Sequence, residues 1–202
     1  MSKLSIGQND VVKTSTKRRN LIFKVNPTYQ RQKFVVDYVA NHEGQAGIIY
    51  CSTRKQVEEL HEALNNEKIK STIYHAGLTN KERIEAQNDF LYDRVEVVIA
   101  TNAFGMGIDK SNVRYVIHYN MPGDLESYYQ EAGRAGRDGL KSECILLFSE
   151  RDKGLHEYFI TVSQADDDYK DKMGEKLTKM IQYTKTKKCL EATIVHLSLI
   201  HI

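Results

Sequence analysis

Apolar residues along this chain alternate between two patterns. Compact apolar runs occur at "NLIFKV" (Asn20–Val25), "AGIIYCS" (Ala46–Ser52), "STIYHAG", "VEVVIA" (Val95–Ala100), "RYVIHYN" (Arg114–Asn120) and "SECILLFS" (Ser142–Ser149). The inner runs lack polar alternation, as expected of strands covered on both faces of a parallel sheet. Amphipathic stretches fill the gaps. Pro27 is predicted to open the first helix, with Phe34, Val35, Tyr38 and Val39 on one face and Gly44 beyond its end. Thr53 and Gln56 have capping-box spacing ahead of a second helix carrying Val57, Leu60 and Leu64. Thr79 and Glu82 repeat that spacing for a third, which runs to about Leu91. A turn at Pro122–Asp124 starts "LESYYQEA", and Gly133 is predicted to end it in a left-handed conformation. Strand–helix alternation implies an α/β fold: a parallel sheet flanked by helices, with right-handed crossovers. Ligands of such sheets sit at the carboxyl ends of the strands.

After Ser149 the alternation stops. In "DYKDKMGEKLTKMIQY", Tyr169, Met173, Leu177, Met180 and Ile181 fall at helical spacing, which predicts a packed helical appendix. "DDDYK" follows no buried strand and reads as a solvated turn. The composition of the 202 residues, 41% hydrophobic and 28% charged, is that of an ordinary globular domain. A net charge of +2 suits a nucleic-acid binder and a metabolic enzyme equally. The basic run from Lys13 to Arg19 reads as a solvated edge. Cys51 and Cys144 lie in apolar runs and Cys189 in a charged one, with no CxxC pair. That usage argues for a reducing, cytoplasmic setting. No stretch is apolar enough to span a bilayer, and "MSKLSIGQND" has no apolar signal core.

Polar residues gather just past the predicted strand ends: Ser52, Thr53 and Arg54; His75 with Gly77; Thr101 and Asn102. Hydroxyls and an arginine at a helix start suit a phosphate, because donors, partial positive charge and a cation converge there. Three such clusters on one rim suggest a groove that follows a nucleic-acid backbone. "FGMGID" places Gly105 and Gly107 where a backbone could approach a ligand closely, with Asp109 able to accept from a ribose hydroxyl or to cap a turn. In "YYQEAGRAGRDG", Arg134 and Arg137 stand among Gly133, Gly136 and Gly139, on backbone predicted to be flexible. The sequence contains no G-x-x-x-x-G-K-[ST] loop and no acidic metal-binding box. Arginines without a phosphate cradle suit a nucleotide held elsewhere, as arginine fingers do.

"IIYCSTRKQVEEL", "YHAGLTNKER", "IATNAFGMGIDKSNVRYVIHYNMP" and "SYYQEAGRAGRDG" occur in this order. From about Asn20 to His196 the chain resembles the second RecA-like domain of RecQ-family superfamily 2 DNA helicases. The resemblance implies ATP- and Mg²⁺-dependent 3′-to-5′ unwinding in DNA repair and recombination. It implies single-stranded and forked DNA as partners, together with the family's first RecA-like domain. It makes Arg134 and Arg137 the catalytic arginines, with Arg137 the finger, and places Gln130, Asp109, Gly107 and Gly133 at the nucleotide cleft. It puts Ser52, Thr53, Arg54, His75, Thr101 and Asn102 on DNA. Residues 1–152 would form the RecA-like domain and 153–196 the helical start of the family's zinc-binding subdomain. Cys189 would be that subdomain's first ligand. One thiolate cannot build a tetrahedral site, so zinc is not expected. Leu197–Ile202 departs from the family, resembles a translated sequencing adaptor, and reads as a non-native tail, with the natural chain expected to continue. Two other readings share these features: a stand-alone nucleic-acid-binding or regulatory module, and half of an RNA helicase.

Overall fold

A computed structural model describes residues 18–105 and 109–198. Six strands form one fully parallel sheet: β1 (Leu21–Pro27), β2 (Ala46–Tyr50), β3 (Ser71–Tyr74), β4 (Val97–Ala100), β5 (Val113–His118) and β6 (Ser142–Phe148), in the order β1-β6-β5-β2-β4-β3. Helices α1 (Arg31–Ala40), α2 (Arg54–Asn66), α3 (Asn80–Leu91) and α4 (Leu125–Ala132) connect them. The α/β expectation holds, and the alternation of inward residues shows why. Ile49, Ile99, Tyr115 and Ile117 face α1 and α2 through Val35, Val39, Val57, Leu60 and Leu64. Their neighbours Ile48, Tyr50, Val98, Ala100 and Val116 face the opposite layer, with Phe90 of α3 and Ala132 of α4. Strands covered on both sides need apolar residues at every position.

Several local expectations are corrected. Pro27 does not open a helix: it ends β1, and α1 begins at Arg31. β1 is an edge strand, where a residue without an N–H is tolerated. Thr53 caps α2 by accepting from the Gln56 amide at 3.2 Å, but Gln56 Oε1 is buried without a hydrogen bond, so only half the capping box forms. The Thr79–Glu82 box is complete. Gly133 is right-handed at φ −65°, and the left-handed turn falls at Gly136 (φ 56°) and Gly139 (φ 83°). "DDDYK" is not a turn: Asp166 caps α6 through the Tyr169 amide at 2.7 Å, and Asp167 and Asp168 lie in its first turn.

The appendix consists of α5 (Glu150–Val162), α6 (Asp167–Lys185) and α7 (Leu190–Ser198). Leu177, Met180 and Tyr183 of α6 and Ile194 of α7 pack on Tyr128 of α4 and Leu146 of β6. Met173 and Ile181 are half-buried, whereas Tyr169 is exposed. α5 begins at Glu150, so it runs across position 152. Ser149 and Asp152 form its capping box, which joins the appendix to the end of β6. Cys51 and Cys144 are buried, Cys189 is exposed, and all three are free thiols. Burial pushes the Cys144 thiol up to about 12. No described helix is long and apolar enough to cross a membrane. Gly107, Lys13 to Lys17, and Leu199 to Ile202 lie outside the described residues.

Candidate nucleic-acid and nucleotide interface

The carboxyl ends of the central strands gather one set of predicted residues. Ser52 follows β2, and its amide donates to Asn120 Oδ1 at 3.1 Å. Thr53 and Arg54 open α2. Arg54 lies over the turn after β3: a side-chain carbon on Gly77 would come within 2.9 Å of its Nη1 and within 3.1 Å of His75 Nδ1. Arg54 is exposed and makes no ion pair with a described residue. His75 is buried, takes the Gly77 amide on Nδ1 at 3.2 Å, and has its Nε2 3.6 Å from Glu58. Thr101 follows β4 and is tied to β3 by its amide, which donates to Tyr74 O at 3.1 Å. Asn102 is exposed beside it. Ser52, Asn102, Asn120 and Ser127 border a cavity of about 290 Å³ above β2 and β5. This rim offers hydroxyls, amides and a guanidinium, groups of the kind that bind phosphate oxygens.

The turn that carries Arg137 packs elsewhere. α4 runs back along the sheet, so the loop after it reaches the amino ends of β5 and β6. Gly136 N donates to Val113 O at 2.8 Å and Asp138 N to Ser111 O at 3.2 Å. Gly136 needs its left-handed φ, and a Cβ there would collide with Asn20 Nδ2 at 2.5 Å and Ser142 Oγ at 2.7 Å. Gly136 therefore serves a turn held by backbone hydrogen bonds. Arg134 donates to Gly105 O at 2.7 Å and sits against the buried Tyr50 hydroxyl. Burial raises Tyr50 above the ordinary phenol range, and the nearby Arg134 opposes that. Arg137 is partly exposed and pairs with Asp109 at 2.8 Å. Asp138 pairs instead with Arg114. Gln130 is exposed on α4.

The segment after β4 joins the two regions. Thr101 and Asn102 stand on the carboxyl rim, Gly105 accepts from Arg134, and Asp109 holds Arg137. Its far end is anchored by Lys110, a buried lysine that donates to Asp93 at 2.7 Å and to Leu91 O at 3.3 Å and lies 5.3 Å from the Phe90 ring centroid. The model for the helicase conserved C-terminal domain matches residues 30–139, more than half of the chain. The chain belongs to that family. Both polar regions fall largely within the matched helicase segment. The ATP-dependent DNA helicase RecQ of Bacillus subtilis is 44% identical over 193 residues, covering 96% of this chain and 32% of the relative. The protein of the same name from Pasteurella multocida is 47% identical over 135 residues, covering 67% and 21%. The chain thus spans between a fifth and a third of these relatives' length. The crystal structure of the Escherichia coli DEAD-box protein SrmB bound to RraA matches with a TM-score of 0.60 at 22% identity, covering 77% of this chain and 95% of that one. That likeness shows the RecA-like helicase fold.

Sequence reasoning missed the supports of this helicase domain. Asp152 is buried and accepts from Arg31, from Asn120 Nδ2 at 3.4 Å, from Met121 N at 3.3 Å and from Ser149 N at 3.2 Å. Through Asn120 it positions Ser52. His118, also buried, meets Glu131 at 2.9 Å beside the Tyr50 and Tyr128 rings. A buried acidic residue three positions after Ser149 was legible only as a helix cap. Among the described residues no group of three or more His, Cys, Asp or Glu could hold a metal ion.

Proposed function

We propose that this chain is the carboxyl-terminal motor half of a RecQ-type ATP-dependent helicase that tracks single-stranded and forked DNA. Ser52, Thr53, Arg54, His75, Thr101 and Asn102 contact the DNA backbone. Arg137, with Arg134 behind it, serves a nucleotide held by another RecA-like domain. Gln130, Asp109, Gly107 and Gly133 line that cleft. The observation that carries this reading is the shared segment after β4: Thr101 and Asn102 stand on the carboxyl rim, while Gly105 accepts from Arg134 and Asp109 from Arg137. Movement of the bound strand against that segment would be felt at Arg137, which is how strand translocation and nucleotide turnover could be linked. The Mg²⁺ ion would arrive with the nucleotide on the partner domain. A cytoplasmic setting is part of the same proposal.

Two measurements test it. The 202-residue chain alone is expected to hydrolyse no ATP, with or without DNA, because its sequence contains no G-x-x-x-x-G-K-[ST] loop and no acidic metal-binding box. DNA-stimulated hydrolysis by the purified chain, lost in Arg137→Ala, would show that the active site is complete without a partner. The chain should also bind single-stranded DNA weakly, without sequence preference, and less tightly as salt rises. Arg54→Ala should weaken that binding about 5- to 10-fold at low salt and lower the log–log salt slope by about 0.7, the loss of one phosphate contact. Unchanged binding in Arg54→Ala would remove this rim from the DNA path.

A further inference from the structure

The loop carrying Arg137 is held by two residues that lie more than 110 positions earlier in the chain. Arg18 directs Nη2 at Ala135 O (2.9 Å) and Gly136 O (2.8 Å), and Nη1 reaches Gly133 O at 3.5 Å. Asn20 Nδ2 donates to Gly136 O at 2.8 Å and Leu140 O at 3.0 Å. Arg18 Nε lies 3.4 Å from Asn20 Oδ1, which turns the amide so that its NH₂ faces the loop. We propose that Arg18 and Asn20 are positioning residues for Arg137.

The decisive atom is Gly136 O. It belongs to the peptide unit that joins Gly136 to Arg137, so fixing it fixes the plane from which the Arg137 side chain departs. Two donors at 2.8 Å hold it on one side. On the other, Gly136 N is tied to β5 and Asp138 N to the turn before it. The carbonyls Arg18 binds lie past the end of α4, where backbone acceptors lack helical partners and the helix dipole favours a cation. A planar guanidinium can bridge neighbouring carbonyls, whereas an ammonium meets them as a point charge. Asn20 reinforces the arrangement through its own carbonyl, which accepts Ser142 N at 3.0 Å at the start of β6. The strap therefore couples the entry to β1 with the turn before β6, two strands paired in register from Leu21 with Ser142 onward. A finger must be placed to within a fraction of an ångström, and misplacement by about 1 Å costs about 100-fold in rate.

This inference rests on the proposed role of Arg137, and its test separates the two. In the 202-residue chain, hydrogen exchange is followed at Gly136, Asp138 and Gly139. Arg18→Ala should speed exchange there by about 10-fold or more while leaving β2 and β4 unchanged. In a protein that also carries the nucleotide-binding half, Arg18→Ala should lower ATP turnover about 10- to 100-fold with KM for ATP nearly unchanged. In an Arg137→Ala background, Arg18→Ala should have no further effect, because the group it positions is gone. Equal fold-losses in both backgrounds, or loop exchange that does not change, would overturn the proposal. If Arg137→Ala itself turns over normally, the finger reading fails. The exchange result then decides the strap alone, faster exchange upholding it and unchanged exchange sinking it. Arg18→Lys covers the case in which the alanine variant does not fold. It keeps the charge and loses the fork, and should show the same non-additivity at smaller size.

Discussion

Arg137→Ala, in a protein joining this chain to a nucleotide-binding RecA-like domain, is expected to cut ATP turnover by about 10³-fold or more while leaving nucleotide affinity nearly intact. The guanidinium would meet charge that spreads over the transferring phosphoryl group only in the transition state, so its loss falls on turnover rather than on binding. Arg137→Lys should recover little, since a point charge cannot reproduce the planar fork. The competing role is a brace, because Arg137 already pairs with Asp109 at 2.8 Å. Magnitude separates the two. Asp109 is 84% exposed and Arg137 36%, and exposed pairs of this kind contribute at most about 1 kcal/mol. A brace mutant would lose activity only as far as its folded fraction fell. Turnover and melting temperature measured on the same sample decide it: a collapse of turnover without a matching loss of melting temperature is the finger.

Asp152→Ala is expected to destabilise this chain by about 3–5 kcal/mol, since it leaves the mostly covered Arg31 side chain without its partner and strands backbone amides. For a domain of this size that lowers the melting temperature by roughly 10–15 °C. The Asp152 side chain is 4% exposed and that of Arg31 13%, so water can do little to compensate. Arg31→Ala should cost less. In that variant the carboxylate still accepts from Met121 N, Ser149 N and Asn120. Equal losses in the two variants, read from paired thermal melts, would mean that the amide contacts contribute nothing and that the ion pair alone carries the effect. Because Asn120 also holds the Ser52 amide, Asp152→Ala should weaken DNA binding even below its melting transition.

Local pattern was enough for much of the architecture. Ile48, Ile49 and Tyr50 face alternate layers of helices, and a run with no polar position has few places to go except the middle of a parallel sheet. Thr79 and Glu82 formed their box because both groups lie within one turn. Pro27 misled for the opposite reason: its ring suits a helix start and an edge strand equally, and only its pairing with Phe148 chooses between them. Gly133 was a reasonable end for α4, but the left-handed residue moved to Gly136, where Asn20, Ser142 and Leu140 crowd the position. Nothing near Gly133 in sequence reports that crowding.

The same division runs through the candidate site. The sequence by itself determined which chemical groups are present and on which strand ends the rim groups stand, because a strand carries its own direction and its own following residues. It placed Ser52, Thr53, Arg54, Thr101 and Asn102 just past the ends of two buried strands. Tertiary structure alone decided that the Arg137 turn packs at the amino end of β5 while Arg134 reaches Gly105 and Tyr50, because α4 returns antiparallel to the strands before its loop begins. It alone decided that Asp109, rather than Asp138, holds Arg137, and that Arg18, taken for a solvated edge, grips the loop beyond Gly133. Hydrogen bonds between residues more than 100 positions apart depend on where the chain has been folded back, and a single sequence records the partners without recording the meeting.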